Sequence, residues 1–315
     1  MTGVRALTRI DGGAGQPGAR AGRESRAATA GMYVRSRRVA EALRRIREES
    51  GLSGETVAGR LKWSPSKISR AELFRTGLPL GELERLIAFY RQRGRTDENR
   101  LDRLLGYARG VASDRAALLP PAAPGDTDDL EEAAEVLEWA AVTVPDFLRT
   151  PGYARAVLLS TEASTRVLPS AVARAAATAR EWQERLSAGT GTRMQVVLDE
   201  AVLHRQFGGP GVLREQLEYL LALPAPDVEL RVLPLAGGGP GAVESFRHVR
   251  YAEVDEFPLS DAVMMKRLEG EDRVDEESEA YTYRLAFLQL WQAAAAQAET
   301  AKLVRAAIRK TDQRR

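Results

Sequence analysis

No cysteine occurs in the 315 residues. That removes disulfides, thiolate nucleophiles and Cys-bearing zinc sites together. Histidine is nearly as scarce, at 2 residues, so a metal centre is poorly supplied with ligands. No apolar run approaches the roughly 18 residues that a membrane span needs, and no membrane role is expected. The first 30 residues carry arginines with no apolar stretch after them, so no export signal is expected and the cytoplasm is the expected location. What is present in quantity is ordinary core material, with 44% of residues hydrophobic.

Charge is unevenly spread. Residues 1–80 hold 16 of the 46 Lys and Arg but only 7 of the 44 Asp and Glu. The front of the chain is therefore net positive and the remainder net negative, the pattern of a basic module for a polyanion joined to a body that need not meet one.

Residues 1–30 are rich in Gly, Ala and Arg without apolar periodicity and read as a disordered basic tail. Residues 31–113 read as a compact helical bundle. Val39, Leu43 and Ile46 are spaced by four and three, and Leu83, Leu86, Ile87 and Tyr90 repeat the spacing, as do Leu101, Leu104, Leu105 and Ala108. Residues 114–129, ending in the Pro- and acid-rich run ALLPPAAPGDTDD, read as a linker. Residues 130–312 mix periods. Ala133, Val136, Leu137 and Ala140 follow an acidic run and suggest a helix. Residues 170–187, 210–223, 277–297 and 299–310 are further expected helices. MQVVL (194–198), VELRVL (228–233), FRHVRY (246–251) and residues 262–268 are expected strands. The fold class expected is a mainly α N-terminal bundle plus an α+β C-terminal domain with a small sheet.

The stretch LSGETVAGRLKWSPSKISRAE (52–72) is the most informative. Ser53 is placed to cap one short helix ending near Leu61. Trp63 falls in a turn. Ser64 is placed to cap the next helix, with Pro65 at its first position, where a missing N–H costs nothing. In that helix Ile68 and Ala71 face inward, leaving Ser66, Lys67, Ser69 and Arg70 outside. The major groove admits one helix, with its N-terminal residues aimed at base edges. Small polar side chains permit close approach, and Lys67 and Arg70 can donate to guanine or phosphate. Ser64, Arg60, Lys62 and Arg75 flank the helix and suit phosphates.

These residues resemble the XRE (Cro/repressor-like) helix-turn-helix family. The resemblance implies an ion pair between Arg47 and Glu72 as a structural brace. Two positions depart from it: Gly54 stands where a phosphate-contacting Gln is usual, and Leu73-Phe74 stands where Asn-Gly is usual.

In the second half, Asp199, Glu200 and His204 lie close in sequence, but a strand-to-helix junction capped by Asp199 accounts for them as well as a metal or general base does. Gly237, Gly238, Gly239 and Gly241 have the look of a phosphate loop, yet Pro240 interrupts them and no Lys-Ser/Thr follows. Tyr281, Tyr283, Phe287, Leu290 and Trp291 read as an aromatic stripe on one helix: core packing, with a ligand or partner surface as the alternative. The segments VPDFLRTPGYARAVL (144–158), VVLDEAVLHRQFGGPGVLREQLEYLLAL (196–223) and VELRVLPLAGGGPG (228–241) resemble the DUF5753 domain of Scr1-like actinobacterial regulators. The resemblance implies a partner-binding or signal-sensing half, with a small DUF397-type protein or a small-molecule effector as the partner. Asp146 and Arg149 stand where that family favours Gly and Gln, and Lys266 where it often has an acid.

Together these features lead us to expect a regulator that is not an enzyme, needs no cofactor, and binds double-stranded DNA as a homodimer. Alternatives are an antitoxin-like protein that sequesters a small partner, and a ligand-gated regulator or enzyme that kept its helix-turn-helix.

Overall fold

The computed structural model describes residues 34–93, 96–112, 117–118, 130, 132–161, 168–236, 244–253, 257–267 and 271–312. The expected N-terminal tail and the glycines at 237–241 lie outside them. The chain divides into two compact units, with the boundary between Glu131 and Glu132.

The first unit is helical: α1 (34–49), α2 (Gly54–Leu61), α3 (Pro65–Glu72), α4 (Leu80–Arg93) and α5 (Glu98–Ala112). Its core is aliphatic. Val39, Leu43 and Ile46 of α1, Val57 of α2, Ile68 of α3, Leu83, Leu86, Ile87 and Tyr90 of α4, and Leu101 and Leu104 of α5 are all buried. The expected linker is not wholly irregular. Ala117–Leu118 (β2) pairs antiparallel with Leu78–Pro79 (β1), tying the start of that segment back to the bundle. Its residues 119–129 lie outside the described set.

The second unit is built on six strands: β3 (Ala133–Ala140), β4 (Arg193–Asp199), β5 (Val228–Leu233), β6 (Phe246–Tyr251), β7 (Ala262–Lys266) and β8 (Glu271–Val274). They lie in the order β5-β4-β3-β6-β7-β8. Pairing is parallel from β5 to β3 and antiparallel from β3 to β8. Helices α6 (Pro151–Thr161) and α7 (Pro169–Ala188) connect β3 to β4, and α8 (Pro210–Ala222) connects β4 to β5. These are the long crossovers that parallel neighbours need. Helices α9 (Glu277–Ala293) and α10 (Gln297–Asp312) close the chain.

Strand β3 corrects the helix expected at 133–140. The spacing of Ala133, Val136, Leu137 and Ala140 fits a helix, but the segment occupies the sheet centre and is buried on both faces. Leu137 and Trp139 join Phe246, Val263, Phe287 and Leu290 in one core, while Val136 and Ala140 point to the other side. A strand buried on both faces is not separable from a helix by periodicity alone.

The same strand buries two carboxylates, Glu135 and Glu138. Glu138 accepts from Arg247 Nε of β6 at 2.6 Å. The Arg247 guanidinium also donates to Asp146 Oδ1 at 2.6 Å, and Lys266 Nζ donates to Asp146 Oδ2 at 2.7 Å. Burial pushes the Glu138 carboxyl up, against the pull of Arg247. At Asp146 burial acts in the same direction, but Arg247 and Lys266 outweigh it and hold the group well below the usual carboxylate range. Burial opposes the charge of Arg247, and the two carboxylates hold it protonated. Asp146 and Lys266, both noted above as departures from the resemblance, are therefore one feature: the acid and the base meet each other. Arg149 is a loop staple, donating to the Val144 carbonyl at 2.7 Å and to Thr143 Oγ1 at 3.1 Å.

Arg247→Met leaves two buried carboxylates short of their shared cation, and breaking a buried pair this way costs about 3–5 kcal/mol. Urea unfolding followed by tryptophan fluorescence, which Trp139, Trp182 and Trp291 of this unit dominate, is expected to show that loss. A cost below about 1 kcal/mol would mean the cluster is solvated in solution.

Candidate nucleic-acid interface

Two short helices are set by their caps. Ser53 Oγ accepts from Thr56 N at 3.1 Å and starts α2. That helix ends where Lys62 takes a left-handed φ of 57°. There Trp63 N donates to the Ala58 carbonyl at 2.8 Å and Lys62 N to the Gly59 carbonyl at 3.4 Å, the paired bonds of a Schellman stop. Ser64 Oγ then accepts from Lys67 N at 3.2 Å and starts α3, with Pro65 in the first turn. A single residue, Trp63, thus separates the stop of one helix from the cap of the next. This fixes the sharp bend between them.

On α3, Ile68, Ala71 and Glu72 are buried. Ser64, Ser66, Ser69 and Arg70 are exposed, and so are the flanking Arg60, Lys62 and Arg75. Ser66, Ser69 and Arg70 share the outer side at helical spacing. Leu73 stands on the same side, 49% exposed. It was not anticipated as a surface residue.

Arg47 and Glu72 meet across the bundle. Arg47 Nε lies 2.8 Å from Glu72 Oε1 and Arg47 Nη2 lies 2.9 Å from Glu72 Oε2, a two-pronged pair. Arg47 Nη1 also donates to the Leu52 carbonyl at 2.9 Å. The bond to Glu72 raises the arginine's pKa against the opposing effect of burial. One guanidinium therefore ties α1 to the turn before α2 and to the end of α3. Beyond Glu72 the chain turns through Phe74 at φ 51°, a conformation that favours Gly or Asn. The phenyl ring is buried, which offsets that strain. Gly54 lines an open cleft of about 410 Å³ beside Arg47, Ser69 and Leu73. A Cβ built there would meet only Ile68 Cγ2, at 3.7 Å, so packing does not require the glycine.

Lys67 is not the free outer cation that the sequence suggests. Its Nζ pairs with Glu82 Oε1 of α4 at 2.5 Å and lies 4.6 Å from the centre of the Trp63 ring. Arg85, also on α4, stands 5.8 Å from that ring and donates to the Leu61 carbonyl at 3.3 Å. Glu82 and Arg85 lie 15 and 18 residues beyond Lys67, and only the fold brings them to the recognition helix.

The other candidate residues lie elsewhere. Tyr283, Phe287 and Trp291 pack against the sheet from α9, with Phe287 stacked on Trp291 and Tyr283 edge-on to Phe246. Tyr281 points away and is exposed. The stripe is thus two faces, because residues two apart on a helix diverge by about 200°. At the end of β4, Asp199 Oδ1 caps a short 3₁₀ turn by accepting from Ala201 N at 2.8 Å. His204, at the end of the same turn, sits 3.7 Å from Glu200.

Residues 38–105 match the family described as a helix-turn-helix domain. Residues 128–306, more than half of the chain, match the domain of unknown function DUF5753. The chain belongs to the DUF5753 family. No curated protein and no solved structure matches it. The helix-turn-helix match makes this DUF5753 protein a DNA-binding regulator in general terms, and no helix among its described residues is long and apolar enough to cross a membrane.

If Lys67 contacts DNA, Glu82 must first release it. Glu82→Gln is expected to raise affinity for duplex DNA and to steepen the dependence of log K on log salt by about one unit, the signature of one further phosphate contact. An unchanged slope would show that Lys67 does not reach phosphate. Lys62→Gly removes the left-handed penalty at the end of α2 and is expected to raise stability by about 1 kcal/mol. It also removes a flanking cation, so thermal melting should rise while DNA affinity falls.

Proposed function

We propose that this protein is a transcription regulator that reads a specific operator through α3. The carrying observation is that the exposed side of α3, a helix capped at its start by Ser64, bears Ser66, Ser69 and Arg70, with Lys67 at its edge. Arg60, Lys62 and Arg75 border that side and are assigned to phosphates, which position the protein without reading sequence. The Arg47–Glu72 pair is assigned to holding α3 at its angle, with no DNA contact.

The protein acts as a homodimer on paired half-sites, since one small module covers too little DNA for strong specificity. Supporting this is an uncharged exposed stripe on α9, Tyr281, Leu285 and Leu288, spaced by four and three. That spacing is self-complementary between two copies of a helix. The second unit, with a core of its own, receives the controlling input, a partner protein or a small effector. The protein works in the cytoplasm and catalyses no reaction.

The test is a mobility-shift assay on the DNA upstream of the protein's own gene and its neighbours, with the Lys67→Ala/Arg70→Ala variant alongside. Each lost base contact costs about 1–3 kcal/mol, so the variant should bind at least tenfold more weakly. Sedimentation of the complex should give two chains per operator. Equal binding by both proteins would remove these residues from the recognition surface.

A further inference from the structure

Three arginines of the second unit converge on one carboxylate. The Glu135 side chain, near the start of β3, is 5% exposed. Arg284 Nη1 of α9 donates to its Oε2 at 2.9 Å. Arg250 Nε of β6 stands 3.4 Å from the same oxygen, and Arg193 Nη1 of β4 stands 3.7 Å from Oε1. The register explains the gathering. Glu135 is the Cα partner of Arg193 on one side and of Arg250 on the other, so three side chains rise in a row on one face of the sheet. Arg284 reaches down to that row from α9.

The balance of charge and donors is unusual. One carboxylate needs one cation, and the hydrogen bond from Arg284 supplies it. Arg193 and Arg250 lie within ion-pair distance but at longer range, and their side chains are 66% and 51% exposed. Each carries five N–H donors. With β3 between their strands, their Cα atoms are about 10 Å apart, two strand spacings. Their guanidinium groups therefore flank Glu135 from both sides and leave two uncompensated positive charges facing water. Guanidinium forks match the oxygen spacing of a phosphate and bind it bidentately.

We propose that Arg193, Arg250 and Arg284, gathered by Glu135, form a binding site for a phosphate-class dianion. Glu135 is the positioning residue: its buried charge holds the cations together at a spacing they would otherwise avoid. The dianion is either the phosphoryl group of a small ligand or a phosphate of the DNA backbone. The site lies in the DUF5753 domain, at the end of the sheet where β3 and β4 begin, and it does not depend on the DNA-reading role of α3.

The full chain, titrated with inorganic phosphate by calorimetry at low ionic strength with chloride as the control, should show saturable binding. Arg193→Gln/Arg250→Gln should weaken it at least tenfold. Neither side chain makes a hydrogen bond to Glu135, so the variant should keep its far-ultraviolet circular dichroism. Phosphate should raise the melting temperature of the wild type and not that of the variant. Absence of saturable binding, or equal binding by both proteins, overturns the proposal. With phosphate binding established, duplex DNA separates the sources. A log K against log salt slope shallower by about two in the variant assigns the site to the DNA backbone, and an equal slope assigns it to a free phosphorylated ligand.

Discussion

The second unit hangs on the register between β3 and β6. Glu135 faces Arg250 and Glu138 faces Arg247. The two acids are three residues apart on one strand, the two arginines three apart on the other, and the strands run antiparallel. An odd separation puts the two pairs on opposite faces. Each face of the central strand thus carries one buried acid: Glu138 is held by Arg247 across the register, and Glu135 has Arg250 beside it and the hydrogen bond of Arg284 from α9. A slip of one residue would take both arginines away from their facing carboxylates and leave buried acid short of a cation. β3 is also where parallel pairing gives way to antiparallel, so the order of the whole sheet follows from placing this strand correctly.

The first unit relies on the same device at smaller scale. A guanidinium from α1 holds the acid that ends α3 and the carbonyl before α2. Nothing in this arrangement touches the outer side of α3. Its value is angular: it fixes the direction in which the exposed side of α3 faces. In both units, buried charge pairs select one geometry among several that hydrophobic burial alone would allow. A buried pair is a poor source of net stability and a good source of specificity.

This difference decides what the sequence could disclose. The helix-turn-helix was legible because its determinants are local: Ser53, Ser64 and Pro65 each act within a turn of themselves. The Arg47–Glu72 pair was legible only through resemblance, since 25 residues separate its members. β3 was misread because Ala133, Val136, Leu137 and Ala140 fall at helical spacing, and the facts that make the segment a strand lie on β4 and β6. The pairing of Lys67 was not legible for the same reason: the acid it meets sits on α4. Tyr281 and Tyr283 were grouped by composition, and helix geometry puts them on opposite sides. At β3 and at Lys67 the cause is a partner distant in sequence; at Tyr281 and Tyr283 it is helix geometry alone.

Charge placement follows the same logic in both units. In the first, cations outnumber acids overall, yet Lys67, at the edge of the exposed side of α3, is already held by Glu82 and Trp63. In the second, acids outnumber cations overall, yet three arginines crowd a single buried acid. Net charge therefore misleads at both places. On the function proposed above, a polyanion approaching the first unit must displace Glu82 before it gains Lys67. At Glu135 no acid needs to be displaced, because the carboxylate is already satisfied and the surplus is cationic. The local excess of donors over acceptors, more than the sign of the whole surface, is what marks a place where an anion gains on binding.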